Sequence, residues 1–283
     1  MKSSVTPFVL GLVCLWTSPP VYAQKDNIYR EQTHTWLASV ALGTTRYTGD
    51  MNEPGDLSHL RLGTAVALSA GYRLSQRVVL RADAQLYYIH GRHQYTRIDY
   101  NNLSFHSLNP DVWAGVQVDW WPTSHRTVYR SPYLLAGLGL TYLSPRTDYG
   151  GQCYALAPRH TEGVAYNRLP GLVRYGLGIP LVSQKRWRLH LEGTYTHVMS
   201  DYLDDVSTVY ADPAQLDPLT ATLADRRAEL GLPPNPAGAQ RGNSTRNDGY
   251  FILSARGVYI IRTQWDRGYR DQMRGSSRRR RLW

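Results

Sequence analysis

Asp201-Tyr202-Leu203-Asp204-Asp205 puts three carboxylates within five residues. Hard oxygen donors of this kind can hold an external Ca²⁺, although the spacing is not that of an EF-hand loop. The same cluster also serves as a solvated loop or a helix N-cap. His90, His93, His106, His160, His190 and His197 invite a hydrolase reading. They are spread over separate segments, however, and no Ser/His/acid set stands out among them. The third chemical feature is electrostatic. Arg267, Arg270, Arg274, Arg278, Arg279, Arg280 and Arg281 face only Asp266 and Asp271 in residues 265–283, so +5 of the net +10 lies in this tail. Such a tail suits anionic lipid headgroups or an acidic protein face, or is simply solvated.

The N-terminus narrows those options. Lys2, the apolar run Phe8-Val9-Leu10-Gly11-Leu12-Val13-Cys14-Leu15 and the small-residue site Val21-Tyr22-Ala23 read as a signal peptide over 1–23, with the mature chain starting at Gln24. Bulky Val13 and Trp16 argue against a lipid anchor at Cys14. Loss of Cys14 leaves Cys153 without an internal disulfide partner. Nucleic acid is a poor partner for an exported chain. No later segment offers the ~18 uncharged apolar residues of a membrane helix, so a spanning chain must be a closed barrel.

The elements that would position these groups alternate with a period of two. Along 78–88, Val78, Leu80, Ala82, Ala84, Leu86 and Tyr88 form one face, and Arg81, Asp83 and Gln85 the other. We place strands at 36–47, 59–74, 77–92, 103–121, 131–144, 169–182, 186–199 and 248–263. The gaps at 75–76, 122–130 and 183–185 are short or moderate. Those at 48–58, 93–102, 145–168 and 200–247 are long, and the last has helical potential over 221–230. The pattern predicts an all-β fold: an eight-stranded antiparallel transmembrane β-barrel of outer-membrane type over 36–263. Segment 24–35 precedes it and an Arg-rich tail over 264–283 follows, with both termini in the periplasm and the long loops outside.

The faces can be assigned strand by strand. Trp187, Leu189, Leu191, Gly193 and Tyr195 point to lipid, and Arg188, His190, Glu192, Thr194 and Thr196 point inward. Phe251, Leu253, Ala255, Gly257, Tyr259 and Ile261 point out, placing Arg256 inside. Leu134, Ala136, Leu138, Leu140 and Tyr142 face lipid, with Gly137 and Gly139 on the crowded inner side. Arg81, Asp83, Arg188, Glu192 and Arg256 are then expected to form a charge network filling a narrow lumen, since eight strands leave room for side chains but not for a channel. A soluble lipocalin-like barrel would show the same period with the faces reversed. Strand length, loop asymmetry and aromatics at strand ends (Tyr72, Tyr88, Trp120, Trp121, Tyr142, Trp187, Tyr195, Tyr259) favour the membrane.

One set of residues is specific enough to suggest kinship. Ser200-Asp201-Tyr202-Leu203-Asp204-Asp205-Val206-Ser207, then Arg241-Gly242-Asn243, then Asn247-Asp248-Gly249-Tyr250-Phe251 opening the final strand, resemble a Bacteroidota outer-membrane barrel family that includes PorG of the type IX secretion system. The resemblance implies a non-enzymatic accessory barrel without cofactor, bound to a periplasmic ring of a PorK-like lipoprotein and a PorN-like protein. It would not be the protein-conducting pore. Topology then makes the turn 122–130 and the tail 265–283 the expected partner contacts. A stand-alone adhesin would act through the outer loops 145–168 and 200–247 instead, and a lipid or peptide hydrolase would need one indispensable histidine.

Overall fold

In the computed structural model, residues 33–53, 59–122, 131–184 and 186–261 are described. Strands β1 (Trp36–Thr48), β2 (Leu62–Arg73), β3 (Val78–Arg92), β4 (Ser104–Asp119) and β5 (Tyr133–Thr141) follow in order. A short hairpin, β6 (Pro145–Tyr149) and β7 (Gln152–Ala155), interrupts the series before β8 (Gly171–Ser183), β9 (Trp187–Val198) and β10 (Gly249–Ile261). Every pairing is antiparallel, and β1 pairs with both β2 and β10, from Trp36 opposite Ile261 to Thr48 opposite Gly249. The ring β1-β2-β3-β4-β5-β8-β9-β10 therefore closes with eight strands and leaves no free edge along the barrel wall.

The wet and dry faces are those of a membrane barrel, not a lipocalin. Leu42, Leu68 and Leu138 are 65, 61 and 65 % exposed on the outside, whereas Arg81, Asp83, Arg174 and Glu192 are buried inside. The 13-residue strand β10 reproduces the expected faces, with Phe251, Leu253 and Ala255 out and Arg256 in. Aromatic rings gather at the short-turn end. Trp36 packs on Tyr72 at 4.9 Å and Trp187 on Tyr259 at 4.8 Å between centroids, with Trp120 exposed nearby in the chain end of β4. Such amphipathic rings mark an interface level.

Two expectations need correction. Residues 145–155, expected as loop, form the β6–β7 hairpin, turned at Gly150 and Gly151 with φ of 57° and 78°. Two successive positive φ values are the primed turn that fits strand twist, and glycine adopts them without a Cβ clash. The helix expected over 221–230 instead begins earlier, as α1 (Pro218–Ala224), where Asp217 accepts from the Leu219 and Thr220 amides and Pro218 needs no donor. It ends before a separate 3₁₀ turn at Arg227–Leu230. The signal-peptide region, most of the turn 122–130 and the whole Arg-rich tail lie outside the described residues.

Candidate functional site

The lumen is closed by layers of ion pairs. On β3, two-residue spacing points Arg81 and Asp83 the same way, and Arg81 Nε and Nη2 donate to Asp83 at 2.8 and 2.6 Å. Arg81 also donates across the lumen to both oxygens of Glu192 on β9, at 2.7 and 2.9 Å. Arg256 on β10 completes the group, donating to Asp83 Oδ2 at 3.0 Å and to Glu192 Oε1 at 3.2 Å, and it also donates to the Ser39 and Ser69 hydroxyls. The Tyr133 hydroxyl donates to Glu192 at 2.9 Å. Two guanidinium groups thus share two carboxylates, all buried and mutually hydrogen-bonded, the condition under which buried charge is tolerated.

Arg188, the fifth residue expected in this network, lies nearer the short-turn end. It faces inward on β9, opposite Val258 and Ser183. Four residues separate it from Glu192, ~13 Å at 3.3 Å per residue. Periodicity places a side chain on a face, and the register sets its height along the wall.

The layers above were not singled out by pattern. Arg174 donates to Asp111 at 2.7 Å, the Tyr250 hydroxyl to the same oxygen at 2.6 Å, and Tyr87 stacks on Tyr250 at 4.1 Å. Toward the other end Arg73 pairs with Asp119 at 2.8 Å. The Trp113 indole fills the space between, lying over β5 so closely that a Cβ on Gly137 would fall 2.6 Å from its ring. A void of ≈ 10 Å³ remains beside Arg81, Arg174 and Glu192, about the space of one water. Among the described residues, these paired side chains fill the lumen from wall to wall.

A second polar cluster caps the long-loop end. The Tyr47 hydroxyl lies 2.6 Å from Asp204 Oδ2 and 3.0 Å from Asp248 Oδ1. One hydroxyl proton cannot serve two carboxylates at once. Asp248 also accepts from the Leu203 amide at 3.1 Å, and Asp204 from the Val206 amide at 2.9 Å. Asp205, in a left-handed turn at φ 68°, accepts from the Tyr166 hydroxyl at 2.7 Å. Glu162 binds the Ser207 and Thr208 amides at 2.8 and 3.0 Å, and Arg241 pairs with Glu162 at 3.0 Å. Tyr202 stacks on Tyr166 at 4.3 Å, and Leu203 and Val206 enter an apolar core with Met51, Leu156 and Leu223. Asn247, the remaining residue of the motif, is exposed beside buried Asp248.

Burial governs this cluster's protonation. It pushes Asp201 up to about 7, with Ser207 opposing and Asp50 and Glu162 adding to the rise. Burial likewise raises Asp205 to about 6 against the pull of Arg241. Asp204 and Asp248 are both held well above the carboxylate range by burial; the charges of Asp50 and Asp201 add to it in both, and that of Asp204 adds further at Asp248. The three carboxylates of 201–205 do not gather as a Ca²⁺ cage: Asp204 turns to Tyr47 and Asp205 to Tyr166. Among the described residues, the group with three ligand atoms within 4.8 Å of one another is His106, Asp148 and Cys153.

The histidines do not converge on one centre. His190 contacts the Tyr133 hydroxyl at 3.2 Å in the lumen. His93 is buried near the cap, where desolvation and the charges of Arg241 and Arg61 push it down to about 3 and keep it neutral. His90 and His106 are cross-strand neighbours on β3 and β4, and His160 is exposed in a loop.

A closed ring of eight antiparallel strands, apolar outside and ionic within, defines an outer-membrane β-barrel protein. No protein-family model and no curated protein sequence matches the chain. Solved structures similar to it include the outer-membrane protein OprG of Pseudomonas aeruginosa, at 9% identity and TM-score 0.43, covering 84% of this chain and 100% of that one. Neisserial surface protein A is similar at 14% identity and TM-score 0.39, covering 80% and 96%. The N-terminal barrel domain of Pseudomonas aeruginosa OprF is similar at 9% identity and TM-score 0.39, covering 81% and 100%.

Proposed function

We propose that this protein is a non-enzymatic, non-conducting barrel that serves as an outer-membrane anchor for protein secretion machinery of type IX, in the manner of the PorG-containing family it resembles. The observation that carries the reading is the occluded lumen: Arg81, Asp83, Glu192 and Arg256 bridge it wall to wall. A plugged barrel contributes a rigid, membrane-held platform, and partners must engage its ends. The start of β1, the end of β10 and the β2–β3 turn share one end, since Trp36 pairs with Ile261 and with Tyr72 and the turn spans only Leu74 to Arg77. In this reading that end is periplasmic, and the turn 122–130 and Arg267–Arg281 contact a PorK-like lipoprotein and a PorN-like protein.

The family-like motif then has a supporting role. Asp201–Asp205 and Asp248 hold the longest loop against the barrel rim and leave the other end free for docking. The test is a mild-detergent pull-down from native outer membranes, comparing the full chain with one truncated after Thr263. Co-purification of a ring lipoprotein and its periplasmic partner, weakened by truncation, is the expected result. A barrel recovered alone in both cases overturns the reading. It would favour surface recognition through the outer loops, for which the ordered cap around Glu162 and Arg241 offers a defined shape.

A further inference from the structure

β4, β6 and β7 form a small meander beyond the apolar belt, and its register gathers three different metal-ligand types. Asp148 stands directly opposite Cys153, while His106 stands opposite Arg146, two residues before Asp148. Side chains two apart share a face, so His106 is the diagonal neighbour of Asp148. His106 Nε2 lies 3.6 Å from Cys153 Sγ, and its Nδ1 lies 3.7 Å from Asp148 Oδ2. One donor atom from each residue falls within 4.8 Å of the other two.

We propose that Cys153, His106 and Asp148 form an extracellular Zn²⁺ site, with water in the fourth position. Zinc bonds of ~2.3 Å to sulfur and ~2.0 Å to nitrogen at tetrahedral angles require an S···N separation of about 3.5 Å, and the Cys153–His106 pair already stands at 3.6 Å. The Asp148 side chain is 72 % exposed and can swing its oxygen around to the Nε2 side without disturbing packing. The donor set selects the metal: a thiolate with an imidazole and a carboxylate suits zinc, whereas Ca²⁺ and Mg²⁺ take oxygen. Binding deprotonates the Cys153 thiol, releasing one proton to solvent. The gain for the fold is local. The near arm is joined to β4 by the His106–Arg146 and Ser107–Pro145 pairs and by Thr147 Oγ1 donating to the Ser104 carbonyl at 2.7 Å, and zinc would staple the far arm to the barrel wall.

Full-length protein, folded in detergent, kept reduced and stripped with EDTA, should be titrated with Co²⁺. Expected are a thiolate-to-cobalt charge-transfer band and intense visible bands of a tetrahedral ion, saturating at one equivalent and erased by Zn²⁺. C153S should abolish the charge-transfer band, and H106A should weaken cobalt binding by more than about tenfold. Zn²⁺ should also slow amide exchange across 146–155 in the wild type and not in C153S. Absence of the band in wild-type protein overturns the proposal. So does a band whose affinity is unchanged in both H106A and D148N, because the metal would then be held by a lone thiol. All three substitutions lie outside the lumen, and retention of the compact barrel form in unboiled gels checks folding. If a variant misfolds, the wild-type spectrum decides.

Discussion

The lumen and the cap are both built from buried acids and arginines, yet their charge balance is opposite. In the lumen Arg81 and Arg256 face Asp83 and Glu192 one for one. In the cap Arg241 meets Glu162 and Asp205, while Asp204 and Asp248 share the Tyr47 hydroxyl and Asp201 and Asp50 lie close enough to raise them. In a balanced network every charge has a partner and each depends on the rest. An acid-rich cluster satisfies itself with protons, tyrosine hydroxyls and backbone amides instead. The lumen is therefore fixed by geometry, whereas the cap is set by pH.

The largest test of that contrast is Glu192→Leu. It leaves two buried arginines to one aspartate, and unpairing a buried ion network costs about 3–5 kcal/mol. A lowered urea midpoint in detergent checks it. Arg81→Met combined with Glu192→Leu leaves Arg256 paired with Asp83 and should recover much of that loss. An additive double variant would break the claim of balance.

Tyr47→Phe acts in the cap and should be smaller. It removes the hydroxyl between Asp204 and Asp248 and leaves buried acceptors short of a donor, at about 1–3 kcal/mol. The effect should appear as faster amide exchange across 200–208, with β1 to β4 unchanged. Exchange that spreads evenly over the barrel would show that cap and wall are one cooperative unit.

The pH response separates the regions without mutation. Asp201 at about 7 and Asp205 at about 6 are raised above the ordinary carboxylate value. A raised carboxyl contributes stability below its unfolded value and loses it as pH climbs through the folded one. Between pH 5 and 8, proteolysis within 200–248 should accelerate while the strands stay protected; a cap that tightens over that range contradicts the acid-rich reading. The smallest expected effect is Asp217→Ala, which removes the α1 N-cap. Exchange at the Leu219 and Thr220 amides should rise and little else should change.

Much of the wall was legible because lipid and lumen impose opposite chemistry on alternate residues. Trp187 to Thr196 show it directly, with Leu189 and Leu191 exposed and His190 and Glu192 buried. The β6–β7 hairpin was not legible, since strands of five and four residues beyond the belt alternate against water on one side only. Its signal was Gly150-Gly151. Arg174 and Asp111 were missed for a related reason: single inward charges on separate strands carry no mark of being partners.

What the sequence determined by itself was the set of faces, because a period of two needs only neighbouring residues to be read. The tertiary structure alone decided which inward charges meet, since heights around a closed ring follow from register and closure. That is why Arg81 reaches Glu192, 111 residues away in the chain. The cap follows the same rule: Tyr47, Asp204 and Asp248 are far apart in sequence and become one site only when β1 and β10 close the barrel beneath the loop.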